Sequence, residues 1–298
     1  MGELHDILRR LEPSLGSLSG EPAALDGGIT NRNYRVTLGG NDYVVRQPGK
    51  DTDLLGIDRG AERQASVAAA TLGIGPAVVA AVEDCLVTRF VACHSVTSAE
   101  VAAGAEEIAG ELRAFHDCGE RLPSSFSVAG LLERYAAIVE GRGGTLPEPY
   151  AGAMRCALRI QAAMRVREPS PCHNDLLTGN IIRERCGGRI MLVDWEYAGM
   201  GDARFDLGNL AVNNDFDDAM EDRLLRAYHG EAPSDARRAA LKLMRVLSDI
   251  REAAWGVVQG EISALDFDFA GYASEHFERM HEAIERGSFE DWLAAAAA

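Results

Sequence analysis

The stretch "PCHNDLLTGNIIRERCGGRIMLVDWEYAGMGDARFDLGN", residues 171–209, threads a histidine, asparagines, glutamates and four aspartates between short apolar runs. Burying such groups is costly unless they meet partners, most often a metal ion or a reacting substrate. "HNDLLTGN" sets Asp175 and Asn180 five residues apart on a polar loop, and the run "IMLV" delivers Asp194 to a strand end nineteen residues after Asp175. Asn180 opens "NII", which reads as the opposing strand of a hairpin turning at Cys186-Gly187-Gly188. That hairpin would bring Asn180 and Asp194 to adjacent ends of paired strands. An amide oxygen and a carboxylate placed there suit Mg²⁺, which prefers oxygen ligands and few protein contacts. Asp175, on the loop just before, would accept a proton from an attacking hydroxyl. A base, metal ligands and a place for nucleotide phosphates are the parts that phosphoryl transfer requires.

The elements that must hold these groups divide into two kinds. The first ninety residues read as strand-rich. "NYRVTLGG" and "NDYVVRQPG" alternate on either side of Gly39-Gly40-Asn41-Asp42, a hairpin signal. A helix over about 59–72, closed by Gly73, precedes the strand pair "AVVAAVED" and "CLVTRFV". From about Thr97 the pattern turns helical, with Ile108, Leu112 and Phe115 on one face. Further helices are expected near 126–142 and 150–166, then after Asn209 in a long one ending near Gln259 and another near 269–286. The expected fold class is α+β and two-lobed: a small antiparallel-sheet lobe with one helix (residues 1–93) and a larger, mainly helical lobe (94–298). The cleft between such lobes is a usual place for a ligand.

Composition narrows the partners. The chain has 298 residues, 46 acidic against 30 basic, for a formal charge of −16, a field that repels a nucleic-acid backbone. Six scattered cysteines without a CxxC pair read as reduced thiols. The start, "MGELHDILRRLEP", reads as a short amphipathic helix ended by Pro13, with no apolar leader. No apolar run approaches the roughly 18 residues that span a bilayer. A cytoplasmic location and no membrane insertion are the expectations.

The order H-x-D-x4-N followed by a strand-borne Asp resembles the catalytic core of the protein-kinase-like phosphotransferases. More narrowly, "HNDLLTGNII", "LVDWEYAGMGDARFDLGN" and "GGITNRNYRV" resemble the choline/ethanolamine kinase branch, a neighbour of the aminoglycoside phosphotransferases. The similarity runs in order from Gly27 to about Gln259. It implies MgATP as co-substrate, with Asp175 as catalytic base and His173 bracing the catalytic loop. It makes Asn180 and Asp194 the metal ligands. Gly28 and Asn31 would lie in the phosphate-covering loop, and Arg46 would stand where related kinases have a lysine on the α- and β-phosphates. Glu62 would pair with Arg46 from a helical stripe shared with Ala65, Ala69 and Leu72. Asp206 would brace the loop, a role compatible with a helix N-cap before "LGNLA".

The acceptor implied by the resemblance is choline or a similar small cationic alcohol. A quaternary ammonium wants aromatic faces and nearby carboxylates, and the candidates are Trp255, Tyr197, Phe216 and Asp215. One departure bears on this: many choline kinases carry a Glu a few residues after the F-D-I-G-N run, where this chain has Asn213 and Asn214 beside Asp215. Alternatives are an aminoglycoside, thiamine or another small acceptor on the same fold, or a nucleotide-binding pseudokinase. The last is opposed by the presence of Asp175, Asn180, Asp194, Arg46 and Glu62 together.

Overall fold

The computed structural model describes residues 2–25, 31–166, 168–185, 188–286 and 288–297. The chain opens with α1 (Gly2–Leu15), followed by β1 (Leu18–Leu25), β2 (Asn31–Leu38) and β3 (Asn41–Pro48). After α2 (Arg59–Leu72) come β4 (Val78–Val82) and β5 (Cys85–Arg89). These strands form one antiparallel sheet in the order β1-β2-β3-β5-β4. Leu38 pairs with Asn41, so the hairpin turn is Gly39-Gly40 alone, both at positive φ (55° and 77°). Two consecutive left-handed residues match the twist of the flanking strands, and glycine adopts them without strain.

Alternation fixes what the sheet covers. Val36, Leu38, Tyr43, Val45 and Val87 turn one face toward Leu4, Ile7, Leu8 and Leu11 of α1. Contrary to the sequence expectation, Pro13 does not end α1, which runs on to Leu15. Within the last turn a proline removes only one backbone bond, and the apolar stripe still holds the helix on the sheet. Helix α2 is capped by Asp58, whose side chain accepts from the amides of Gly60 and Ala61. It buries Ala61, Ala65, Ala68 and Ala69 among residues of the helical part, while Leu72 is 39% exposed and leaves the expected stripe.

Past β5 the chain changes partners. Strand β6 (Cys93–Ser95) precedes α3 (Ser98–Ala103), α4 (Ala105–His116), α5 (Val128–Gly141), α6 (Tyr150–Met164) and β7 (Ser170–Cys172). A 3₁₀ turn at Thr178–Asn180 leads into β8 (Ile181–Glu184), β9 (Ile190–Leu192) and β10 (Gly199–Gly201). β6 pairs with β8 and β8 with β9, while β10 pairs with β7. The remainder is helical: α7 (Ala203–Asn213), α8 (Asp218–His229), α9 (Asp235–Ile262), α10 (Phe269–Glu285) and α11 (Phe289–Ala297). Among the described residues no helix is long and apolar enough to cross a membrane.

Helix α9, 28 residues and about 42 Å long, is the spine of the second half, with α5, α7, α10 and α11 packed around it. Its meeting with α7 is close because position 208 is glycine. A Cβ there would fall 2.6 Å from the carbonyl carbon of Met244, well inside van der Waals contact.

Candidate active site

The polar loop between β7 and β8 is held from three directions. His173 is fully buried; its Nε2–H donates to the Val193 carbonyl at 2.9 Å, and its Nδ1 accepts the Asp175 amide at 3.2 Å. Burial pushes its pKa down to about 4, so the ring is the neutral tautomer that both bonds require. Asp206 lies one turn into α7, whose N-cap is Asp202 and not Asp206. Its carboxylate accepts the amides of His173 (2.8 Å) and Asn174 (2.7 Å) and a bond from His116 Nε2 (2.9 Å). Burial alone would raise its pKa, but those donors, His116 foremost, hold it low. One turn further on, Asn209 accepts the Leu176 amide and donates to Ser248 Oγ at 2.9 Å. Asn214 takes the Thr178 hydroxyl at 2.9 Å.

Asp175 is thereby presented at the loop's crest. Asn180 Nδ2 donates to both its backbone carbonyl and its Oδ2, each at 2.8 Å. Arg251 Nη1 donates to its Oδ1 at 2.9 Å. Burial raises the Asp175 pKa to about 7; Arg251 opposes the shift, and the nearby Glu252, Asp194 and Glu196 carboxylates add to it. The register Ile181–Leu192 and the bond from Val193 N to Asn180 O (2.9 Å) bring Asn180 beside Asp194. With its Nδ2 committed to Asp175, Asn180 has its side-chain oxygen left to offer. Asp194, half-buried and at a left-handed φ of 64°, offers a carboxylate. The donor set is all hard oxygen, which fits magnesium.

On the sheet side, Arg46 of β3 is the hub. Its Nη1 meets Glu62 Oε1 at 2.7 Å, and its Nη2 bonds Asp194 and lies 3.3 Å from Glu196 Oε2. Burial works against its charge, and the three carboxylates more than restore it. Arg59 extends the network to Glu62 (2.6 Å), Glu196 (3.4 Å) and Thr52 (2.9 Å). Asn31 Nδ2 reaches Glu196 at 2.8 Å. The sequence pointed to Arg46, Glu62 and Asn31 but not to Arg59 or Glu196; the available signals were the i,i+3 spacing of Arg59 and Glu62 and the D-x-E pair at 194 and 196. Gly28 and the Cys186-Gly187 part of the expected turn lie outside the described residues.

On the helical side, Trp255 Nε1 donates to the Tyr197 hydroxyl at 3.0 Å. Tyr272 stands edge-on to Trp255 at 5.6 Å and donates its hydroxyl to Glu252 Oε2 at 2.8 Å. Arg251, 2% exposed, bonds Glu252 Oε1 at 2.6 Å and stacks over Tyr197, 4.3 Å from the ring centre. Trp255 and Tyr197 therefore come together, whereas Phe216 and Asp215 do not join them. Phe216 is packed with Leu176, Trp195 and Leu210, and Asp215 is exposed. Arg251, Glu252 and Tyr272 were not singled out from the sequence, although Glu252 and Trp255 are three apart on one helix, the spacing of a shared face.

A sheet-borne arginine paired to a helix carboxylate, facing Asp175, Asn180 and Asp194, is the set of groups that kinase-like phosphoryl transfer calls for. A model of the phosphotransferase enzyme family matches residues 22–241, and the chain belongs to that family. It is similar to a probable choline kinase from Arabidopsis thaliana, 23% identical over 91% of this chain and 92% of that protein. A choline/ethanolamine kinase family protein from Mesorhizobium loti superposes with a TM-score of 0.82, at 28% identity over 99% of both chains. The choline kinase LicA from Streptococcus pneumoniae gives 0.80 at 22% identity, covering 95% of this chain and 99% of that one. The chain is a phosphotransferase that acts on an alcohol acceptor.

Proposed function

We propose that the chain is an ATP- and magnesium-dependent kinase that phosphorylates the hydroxyl of a small cationic amino alcohol, of the kind the choline kinase relatives are named for. In this reading residues 1–93 clamp the nucleotide, and residues 94–298 carry the catalytic loop and the acceptor wall. Arg46, steadied by Glu62, faces the phosphates, and Asn31 closes over them. Asn180 and Asp194 would hold magnesium, which when bound shields the charge on the transferred phosphoryl group. Asp175 orients the acceptor hydroxyl and takes its proton as the γ-phosphoryl passes in line. Trp255, Tyr197, Tyr272 and Glu252 line the far side of the acceptor. His173 and Asp206 touch no reacting atom in this reading; they position the loop.

The observation that carries the proposal is the placement of Asp175, buried and bonded to Asn180 on the metal side and to Arg251 on the acceptor side. A base at that junction reaches both reactants, and most of the rate then comes from positioning and charge neutralisation. The test is ADP release from MgATP with a panel of small amino alcohols, using wild-type protein and Asp175→Asn. Loss of a general base lowers turnover by about 10²–10⁴-fold, with MgATP affinity nearly unchanged. Near-normal turnover by the variant would show that another group takes the proton.

A further inference from the structure

The acceptor wall already contains a cation. Arg251 stacks over the ring of Tyr197 at 4.3 Å, the seat a quaternary ammonium would take on an aromatic face. Its Nη1 is shared between Asp175 Oδ1 (2.9 Å) and Glu252 Oε1 (2.6 Å). The second oxygen of Glu252 accepts from Tyr272, and the second oxygen of Asp175 accepts from Asn180. The Tyr197 hydroxyl receives Trp255 Nε1. Each carboxylate and the aromatic face are thus engaged by groups of this chain. A trimethylammonium group has no N–H with which to replace any of these bonds.

What the wall leaves unmatched is a pair of donors. Arg251 Nε and Nη2 are buried and find no acceptor among the described residues. Buried donors are rarely left in this state. These two N–H groups lie along one edge of the planar guanidinium and point the same way, the edge that meets a carboxylate or phosphate with two parallel bonds.

We propose that the Nε/Nη2 edge of Arg251 receives an anionic oxygen group of the acceptor. The acceptor is then an amino alcohol that also carries a carboxylate or phosphate, and quaternary choline is rejected. This rests on the kinase reading above and narrows it. The hydroxyl meets Asp175, the anionic group meets Arg251, and the ammonium meets Glu252, whose oxygens each keep a free lone pair. The donors lie on the residue that also bonds the base, so a correctly seated anion fixes the hydroxyl's distance from Asp175.

The experiment compares ADP release with L-serine, L-homoserine, 2-amino-3-hydroxypropyl phosphate, ethanolamine and choline, in wild-type, Arg251→Met, Arg251→Lys and Asp175→Asn proteins. A site built to hydrogen-bond a group rejects analogues that lack it strongly. Wild-type kcat/KM is therefore expected to favour an anion-bearing acceptor over choline by more than about a hundredfold, and the serine and phosphate arms separate the two anion sources. Arg251→Met should raise KM for that acceptor by about tenfold or more without changing KM for ATP, and Arg251→Lys should recover part of the loss. Should the variants fail to fold, wild-type protein with L-homoserine against its carboxamide gives the same comparison, the amide being the poorer acceptor. Equal use of acid and amide, or turnover that depends on Asp175 and favours choline or ethanolamine, overturns the assignment while the kinase reading stands. ADP release no faster than in Asp175→Asn for every acceptor overturns the kinase reading, and the assignment falls with it.

Discussion

Two buried arginines flank the catalytic loop, and they are held differently. Arg46, with 11% of its side chain exposed, gathers carboxylates from α2 and from the segment after β9, so its bonds cross from the sheet to the helical part. Arg251, with 2% exposed, takes one carboxylate from its own helix and one from the catalytic loop, both within the helical part. Bonds between separate segments are open to exchange: a phosphate oxygen could replace a carboxylate on Arg46, and a metal ion could replace Arg46 on Asp194. Bonds within one packed body are fixed, and removing one partner strands a buried charge. Under the proposed function, the first arrangement suits a ligand that arrives and leaves with every turnover, and the second suits selection of which acceptor is admitted.

The most severe way to break this contrast is Asp194→Ala, which removes the proposed magnesium ligand and an Arg46 partner at once. Turnover should fall by about 10²–10³-fold, and calorimetric titration of ATP should become indifferent to added magnesium. Next, Arg46→Met should raise KM for ATP by roughly ten- to a hundredfold, the loss of charged hydrogen bonds, whereas Arg251→Met should leave it unchanged. Equal effects of the two substitutions on ATP would erase the distinction drawn between them.

A pH profile sharpens the comparison further. In its proposed role Asp175 would act as base only when ionised, and burial raises its pKa to about 7 with neighbouring carboxylates assisting. The rate should therefore climb as pH rises through that value and level off above it. Arg251 opposes the shift, so Arg251→Met should move the midpoint of kcat/KM to higher pH, while substitutions at Arg59 should not. The smallest effect concerns stability. His173 is buried neutral with its pKa near 4, against about 6.5 in an unfolded chain. Between those values the unfolded state binds more protons, so the contribution of the loop to stability is present above about pH 6.5 and declines as acid takes the pH toward 4. Thermal melts across that window should show Tm falling with acidification, with a shallower fall in His173→Asn.

Much of the catalytic loop was legible because its groups are close in sequence and its strands are short. Asp175, Asn180 and Asp194 are brought together by one hairpin, and period-two alternation with a Gly-Gly turn located β2 and β3. The helix over 59–72 ended at the glycine, Gly73, that was expected to close it. The remainder depended on contacts between distant segments. Arg59, Glu196, Arg251 and Glu252 look individually like surface charges, and only tertiary packing turns them into a buried network. "REAAW" announced its tryptophan, while Arg251 carried no pattern to set it apart from a solvated helix face and Glu252 only its spacing of three from Trp255. Asp215 and Phe216 are adjacent in the chain, yet a left-handed φ of 55° at Asp215 sends one to solvent and the other into the core. Proximity in sequence to the catalytic stretch was no guide there.

The glycine at position 208 has a consequence for how such an enzyme changes. Helix α7 holds the catalytic loop through Asp206 and Asn209, and helix α9 carries Arg251, Glu252 and Trp255. The distance between the two is set by a missing methyl group. Under the proposed function, any change in that spacing should therefore alter acceptor preference and catalytic rate together. A lineage that repacks the α7–α9 contact to admit a larger acceptor also shifts the platform under Asp175, and its early variants pay in speed for what they gain in range. Substrate change in this scaffold is expected to begin with side chains of α9 and α10 away from the α7 contact, where the spacing is left alone.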